Sequence, residues 1–203
     1  MATAPESPMV SLDVTRPIWD RFFTVAPLVI IGTREGDGYD LAPKHLALPL
    51  GWENHYGFVC SPRHATYHNA QRTGAFTVSF PRPTQVVLAA MTAAPRCDTG
   101  DTPRPELRAL PTVKAQVVDG VFLADAYGHL ECELERVVDG FGPNSLMVGR
   151  VVAARMDESA LRETDVSDAA LIGQAPLLAY LSPGRYAAIE ESRPFPFPAD
   201  FHR

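Results

Sequence analysis

The segment Val59–Phe80, VCSPRHATYHNAQRTGAFTVSF, begins and ends in apolar runs of strand character. Between them sit a Ser-Pro step, Arg63, His64, Thr66, His68, Asn69 and Arg72, with no carboxylate. Ala65–Arg72 reads as a short helix that Gly74 closes, and Ala75–Phe80 alternates as a half-buried strand does. Ser61 is a natural N-cap and Pro62 a natural first-turn residue. A helix starting there aims free N–H groups and the positive end of its dipole at one point, within reach of Arg63 and the Thr66 hydroxyl. A phosphate-sized anion fits that description. Taken alone, this segment reads more simply as a plain capped helix with a solvated Arg63.

The charge pattern extends the question beyond the segment. From Asn54 to Cys97 the chain carries no Asp or Glu in 44 residues, where its average frequency gives about five. The same span holds Arg63, Arg72, Arg82 and Arg96, and His55, His64 and His68 lie in it with His45 just before. The whole chain of 203 residues is nonetheless acidic, with a net charge of -6. A local cationic stretch in an acidic protein suits a small anionic ligand and argues against a nucleic-acid or anionic-membrane binder. Buried core elements that carry few charges would give the same pattern.

With 46% apolar and 21% charged residues, this is an ordinary globular composition, enough for a single domain over 1–203. Residues 1–15 read as a loose arm. The N-terminus lacks the basic and apolar regions of a signal peptide, and no apolar run is long enough to span a bilayer. Cys60, Cys97 and Cys132 are an odd number without CxxC spacing. They point to a reducing, cytoplasmic compartment, with Cys60 and Cys132 as small buried residues.

Working outward, Pro17–Val25 reads as a short helix, Leu28–Arg34 as a strand and EGDG as a hairpin turn with positive φ supplied by Asp-Gly. Tyr39–Asn54 looks irregular with short extended pieces, Tyr56–Cys60 a strand, Pro83–Ala94 a helix and 95–109 a polar loop. Strands follow at Val113–Val118, Val121–Ala124, Leu130–Val138 and Leu146–Met156. A helix at Ser167–Gln174 and a short element at Leu177–Leu181 complete the pass. Seven or eight strands without regular βαβ alternation predict a mainly β protein, a closed or split antiparallel β-barrel with a few short peripheral helices.

Familiar catalytic signatures are absent. Gly32–Gly38 sits in a hairpin turn and is no dinucleotide loop, and there is no GxSxG and no Walker A. His64 and His68 would share a helix face, but no third ligand is near in sequence, so no metal site is assigned. Asp40-Leu-Ala-Pro-Lys44-His45 should lie on one rim of the barrel, with Pro43 fixing the backbone and Lys44 adding charge. By itself it reads most simply as a surface loop.

In order, these segments resemble the flavin reductase-like, FMN-binding split-barrel family, especially its flavoredoxin-like branch. The Pro-led strand APLVIIGTRE and a DG turn precede DLAPKH, which resembles an N/D-x-A-P segment. TYHNAQRTGAFTVSF is similar to T-x-x-N-I-x-x-TGEF-x-V-N-F. LECELERV, MVGRVVA and PLLAYLSPGRY match later elements, so the resemblance covers about residues 20–190. Asp40 stands where many relatives carry Asn, His45 where many carry a small hydroxyl residue, Ala70 replaces Ile, and Ser79 replaces Asn.

The resemblance implies a homodimer with non-covalent FMN at the interface. Backbone groups of Asp40, Leu41, Ala42, Pro43, Lys44 and His45 would face the ring edge. Lys44, Ser61, Arg63 and Thr66 would hold the phosphate, with Cys60 and Asn69 beside them. Tyr180, Arg185 and Tyr186 would complete the site, or else pack on the barrel. It further implies an NAD(P)H:flavin oxidoreductase that needs no acid–base residue, passing electrons to free flavin, a partner protein or a small acceptor. The alternatives are a non-enzymatic FMN electron carrier or sensor, a barrel holding another anionic cofactor such as haem, with His129 or His64 and His68 as ligands, and a structural protein without ligand.

Overall fold

The computed structural model describes residues 9–93, 107, 109–162 and 165–198. Twelve strands lie among them: β1 Thr24–Pro27, β2 Val29–Glu35, β3 Gly38–Lys44, β4 Ala47–Pro49, β5 His55–Cys60, β6 Ala75–Phe80, β7 Thr112–Lys114, β8 Val121–Leu123, β9 Gly128–Phe141, β10 Asn144–Met156, β11 Leu177–Ser182 and β12 Arg185–Ile189. The helices lying wholly among the described residues are α1 Ala65–Thr73, α2 Val86–Met91 and α3 Asp168–Gln174, with single 3₁₀ turns at Pro83–Gln85 and Glu158–Ala160.

Seven strands form a curled antiparallel sheet in the order β3-β2-β6-β9-β10-β5-β4. This is the expected mainly β architecture, a split barrel. Its two edges, β3 and β4, are consecutive in the chain, joined only by His45 and Leu46. The long β9–β10 ribbon bends through register shifts near Asn144, Val148 and Val151, as bulges allow. A smaller sheet, β1-β11-β12, and the β7–β8 hairpin complete the strands.

Strand β2 shows how the core is divided. Val29 and Ile31 join the cluster inside the sheet's curve with Phe58, Phe76 and Met147. Ile30, on the opposite face, joins Leu41, Ala89 and Leu123 beneath the outer covering. Both faces are thus buried at the start of β2, where Val29–Ile31 is an unbroken apolar run. Helix α1 packs against β2 and β3 and puts Tyr67 and Ala70 into the inner cluster. Burying a side chain of that size contributes about 1.5–3 kcal/mol.

Several expectations change. No helix forms over Pro17–Val25: a lone turn bond runs from Arg21 N to Ile18 O, and Thr24–Pro27 pairs with β11 instead. Trp19 and Phe23 stay mostly exposed, so the helix would have had no face to bury. Within Tyr39–Asn54 the expected short extended pieces are β3 and β4, and β3, an edge strand, runs through Pro43 because no ladder donor is needed there. In the β2–β3 turn the positive φ falls on Gly36 (50°), the first loop residue, rather than on Gly38.

The strand expected over Val113–Val118 stops at Lys114. Beyond it the N–H groups of Gln116, Val117 and Val118 all converge on the Glu131 carboxylate, at 2.6–3.1 Å. The polar 95–109 stretch and residues 1–8 of the arm fall largely outside the described residues. No described helix is long and apolar enough to cross a membrane.

Candidate functional site

The candidate residues come from three element ends that meet: the end of β3, the end of β5 and the start of α1. Helix α1 begins at Ala65, where the sequence placed it, but the residue that caps it is not Ser61. His64 is its N-cap, and Ser61–His64 form a turn, with Arg63 N donating to Ser61 Oγ at 3.3 Å. The His64 side chain makes no capping bond, and the first turn carries no acidic residue. Gly74 closes the helix in the left-handed conformation at φ 69°, as expected.

Lys44 is the cation at the centre. Its ammonium lies close enough to the Cys60 thiol to hydrogen-bond it. Burial pushes that thiol above its ordinary value, while Lys44 pulls the other way. His64 is held below the usual imidazole range first by burial and then by the charges of Lys44 and Arg63, with Asp40 opposing. His45 is lowered by burial and then by Lys44, and its ring lies 4.6 Å from that of Tyr180. Both imidazoles are therefore neutral at neutral pH and offer a donor and an acceptor each.

Four candidates are committed to the protein itself. Thr66, 2% exposed, donates its hydroxyl to Asp40 Oδ2 at 2.9 Å. The carboxylate missing from the 54–97 stretch is thus supplied by β3, directly beneath the helix start. Thr66 keeps only its acceptor capacity and backbone N–H for a ligand. Asn69 is tied to Thr33 and Glu35 through Nδ2 and to Arg72 through Oδ1. Leu41 is buried in the outer core cluster.

Ala42, Pro43, Lys44 and His45 are half-buried along the edge strand and its exit, beside the half-buried Ser61, while Arg63 is exposed. Tyr180 faces His45 from the small sheet and accepts from Gly184 N at 2.9 Å. Arg185 and Tyr186 lie exposed on β12, across the ladder from Leu181 and Tyr180. The single chain therefore brings together Lys44, His45, Cys60, Ser61, Arg63, His64 and Tyr180. The sequence reading named His64 only as one of a pair with His68 and not among the flavin-binding residues; the fold puts it beside Lys44 and Arg63.

A family model of the flavin reductase-like domain matches residues 22–190. This chain belongs to that family. Among solved structures, the fold is similar to flavoredoxin from Methanosarcina acetivorans (TM-score 0.76, 15% identity, 95% of this chain and 97% of that one). It is similar too to nitrilotriacetate monooxygenase component B from Bacillus cereus (TM-score 0.78, 18% identity, 94% and 100%). A third likeness is an FMN-binding protein from Thermus thermophilus with bound 1-cyclohex-2-enone (TM-score 0.70, 21% identity, 96% and 99%). At these identities the likeness carries the fold alone, a split barrel.

The residues present fit a flavin mononucleotide. A near-dianionic phosphate suits Lys44, Arg63, the Ser61 hydroxyl and the N–H groups at the start of α1. An aromatic ring system suits the half-buried, partly apolar edge along Ala42–His45, with Tyr180 beyond it. Among the described residues, no three His, Cys, Asp or Glu side chains come together as a metal site would need.

Proposed function

We propose that this protein is an FMN-dependent oxidoreductase that takes hydride from NADH or NADPH and passes electrons on to free flavin, a partner protein or a small acceptor. The observation that carries this reading is the convergence of Lys44, Ser61, Arg63 and His64 beside the half-buried edge of β3, in a chain of the flavin reductase-like family. When bound, FMN supplies the hydride-accepting ring, which is why the site needs no catalytic triad. The protein's part is to bind and orient. Lys44 and Arg63 neutralise the phosphate, and the first turn of α1 offers N–H donors to it. Backbone groups of the β3 edge face the ring, and neutral His45 and Tyr180 wall the site from water.

The reading includes a homodimer. Leu46, Leu48 and Trp52, at 52%, 50% and 88% exposure, form an apolar surface around edge strand β4, next to the site. Covering that surface with a second copy would complete the flavin pocket.

Two measurements test the proposal. FMN titration should show saturable quenching of flavin fluorescence, weakened at least tenfold in Lys44→Ala, since a lost charge-assisted hydrogen bond is worth about 1.5–3 kcal/mol. The FMN-loaded protein should oxidise NADH or NADPH in the presence of excess flavin. Binding without oxidation of either nucleotide would leave an electron carrier and overturn the reductase reading.

A further inference from the structure

A second concavity lies apart from the residues just described. It opens between α3, the 3₁₀ turn Glu158–Ala160 and the extended 192–195 segment, and has a volume of about 610 Å³. That is within the range of roughly 300–1,000 Å³ typical of small-molecule sites. None of the flavin-site candidates lines it. Strand β11 stands between the two: Leu177 lines the cavity, while Tyr180, an odd number of residues along the strand and so on its other face, meets His45.

Its walls are apolar and aromatic. Leu171, Ile172, Ala175 and Leu177 form one side, with Tyr127 and Phe195 contributing rings. The Tyr127 ring is itself fixed between Phe80, at 5.8 Å, and the Arg82 guanidinium, at 5.9 Å. Phe195 remains 71% exposed with its ring 4.6 Å from Phe197, an aromatic edge presented to the opening.

The rim is selective in charge. Arg162 and Asp168 neutralise each other through two hydrogen bonds, at 3.1 and 2.8 Å. Ser167 Oγ is occupied by Ala170 N, at 3.3 Å. Arg193 also lines the cavity and has no hydrogen bond or ion pair among the described residues. The rim therefore carries one surplus positive charge over an apolar, aromatic interior.

We propose that this cavity binds a small aromatic monoacid, with its ring against Tyr127, Leu171 and Phe195 and its carboxylate on Arg193. The guanidinium offers a planar, two-pronged donor for that group, and the one carboxylate lining the cavity, Asp168, is already paired with Arg162. A neutral apolar molecule would use the same walls but forgo the cation.

The test uses the purified full chain and 2-naphthoate in isothermal titration calorimetry, with the neutral 2-naphthalenemethanol as control. One-site binding of the acid is expected. Arg193→Gln should weaken it by tenfold or more while leaving the alcohol unaffected. Ala169→Trp, on an exposed helix position at the cavity, should abolish both. FMN affinity, followed by flavin fluorescence, should be unchanged in either variant, which also shows that each is folded. No saturable binding, equal affinity in Arg193→Gln, or displacement of naphthoate by FMN would overturn the proposal. Should Ala169→Trp fail to fold, Arg193→Gln decides alone.

Discussion

At the scale of single residues, the two buried carboxylates Asp40 and Glu131 organise more than their surroundings suggest. Glu131 is 2% exposed and accepts N–H bonds from Gln116, Val117 and Val118. Burial alone would raise its carboxyl, but the three donors together outweigh that and hold it below the ordinary carboxylate range. Because the folded pKa is depressed, this stabilisation is fully present above the unfolded value of about 4.3 and is lost as pH falls through the folded one. Glu131→Gln is expected to lower stability by about 1–3 kcal/mol at pH 7, measured by urea denaturation. The gap between variant and parent should shrink below about pH 4.

At Asp40, Thr66→Val would remove a donor from a buried carboxylate. A loss of about 1–3 kcal/mol is expected in the same measurement. Neither role was legible beforehand. Glu131 sits in the alternating run LECELERV and looks like a strand's solvent-side charge, and its partners are N–H groups that any residue would carry. Asp40 was read by its place in a motif, and only the fold shows that its partner is Thr66, 26 residues on. Thr66 was accordingly taken as a ligand donor, when its proton is already used.

Elements with strong local signals were legible. Helix α1, strand β6 and helix α3 followed from Gly74, from strict alternation and from the Ser167 cap, which accepts from Ala170 N as a cap should. Elements that exist through their neighbours were not. Strand β1 forms because β11 offers it a ladder, and β12 because β11 has another free side. Nothing in TVAP or RYAAI announces either partner. The end of α1 lends itself to a direct test. Gly74 has φ 69°, and a Cβ placed there would meet nothing within 4 Å. Any cost of Gly74→Ala is therefore conformational. A loss of about 1 kcal/mol in thermal unfolding is expected, with FMN affinity unaltered.

For the whole molecule, the barrel class was readable from strand count and turn spacing, whereas the smaller β1-β11-β12 sheet was not, since it joins both ends of the domain. The proposed dimer makes its prediction at this scale. Trp52→Glu should shift the protein to monomer in sedimentation analysis and weaken FMN binding, because it places a charge on the apolar surface of Leu46 and Leu48. A dimer untouched by that substitution would place the interface elsewhere.

The unclosed sheet has one more consequence. A split barrel leaves two strand edges that could recruit strands from other molecules, the usual beginning of aggregation. Here each edge carries a proline: Pro43 within β3, and Pro49 at the end of β4, which is only three residues long. A proline offers no N–H to an incoming strand and interrupts any ladder that tries to extend. The residue that rigidifies the ligand-facing edge also keeps that edge from growing a foreign strand. Pro43→Val should accordingly raise light scattering during prolonged incubation before it produces any change in the thermal midpoint.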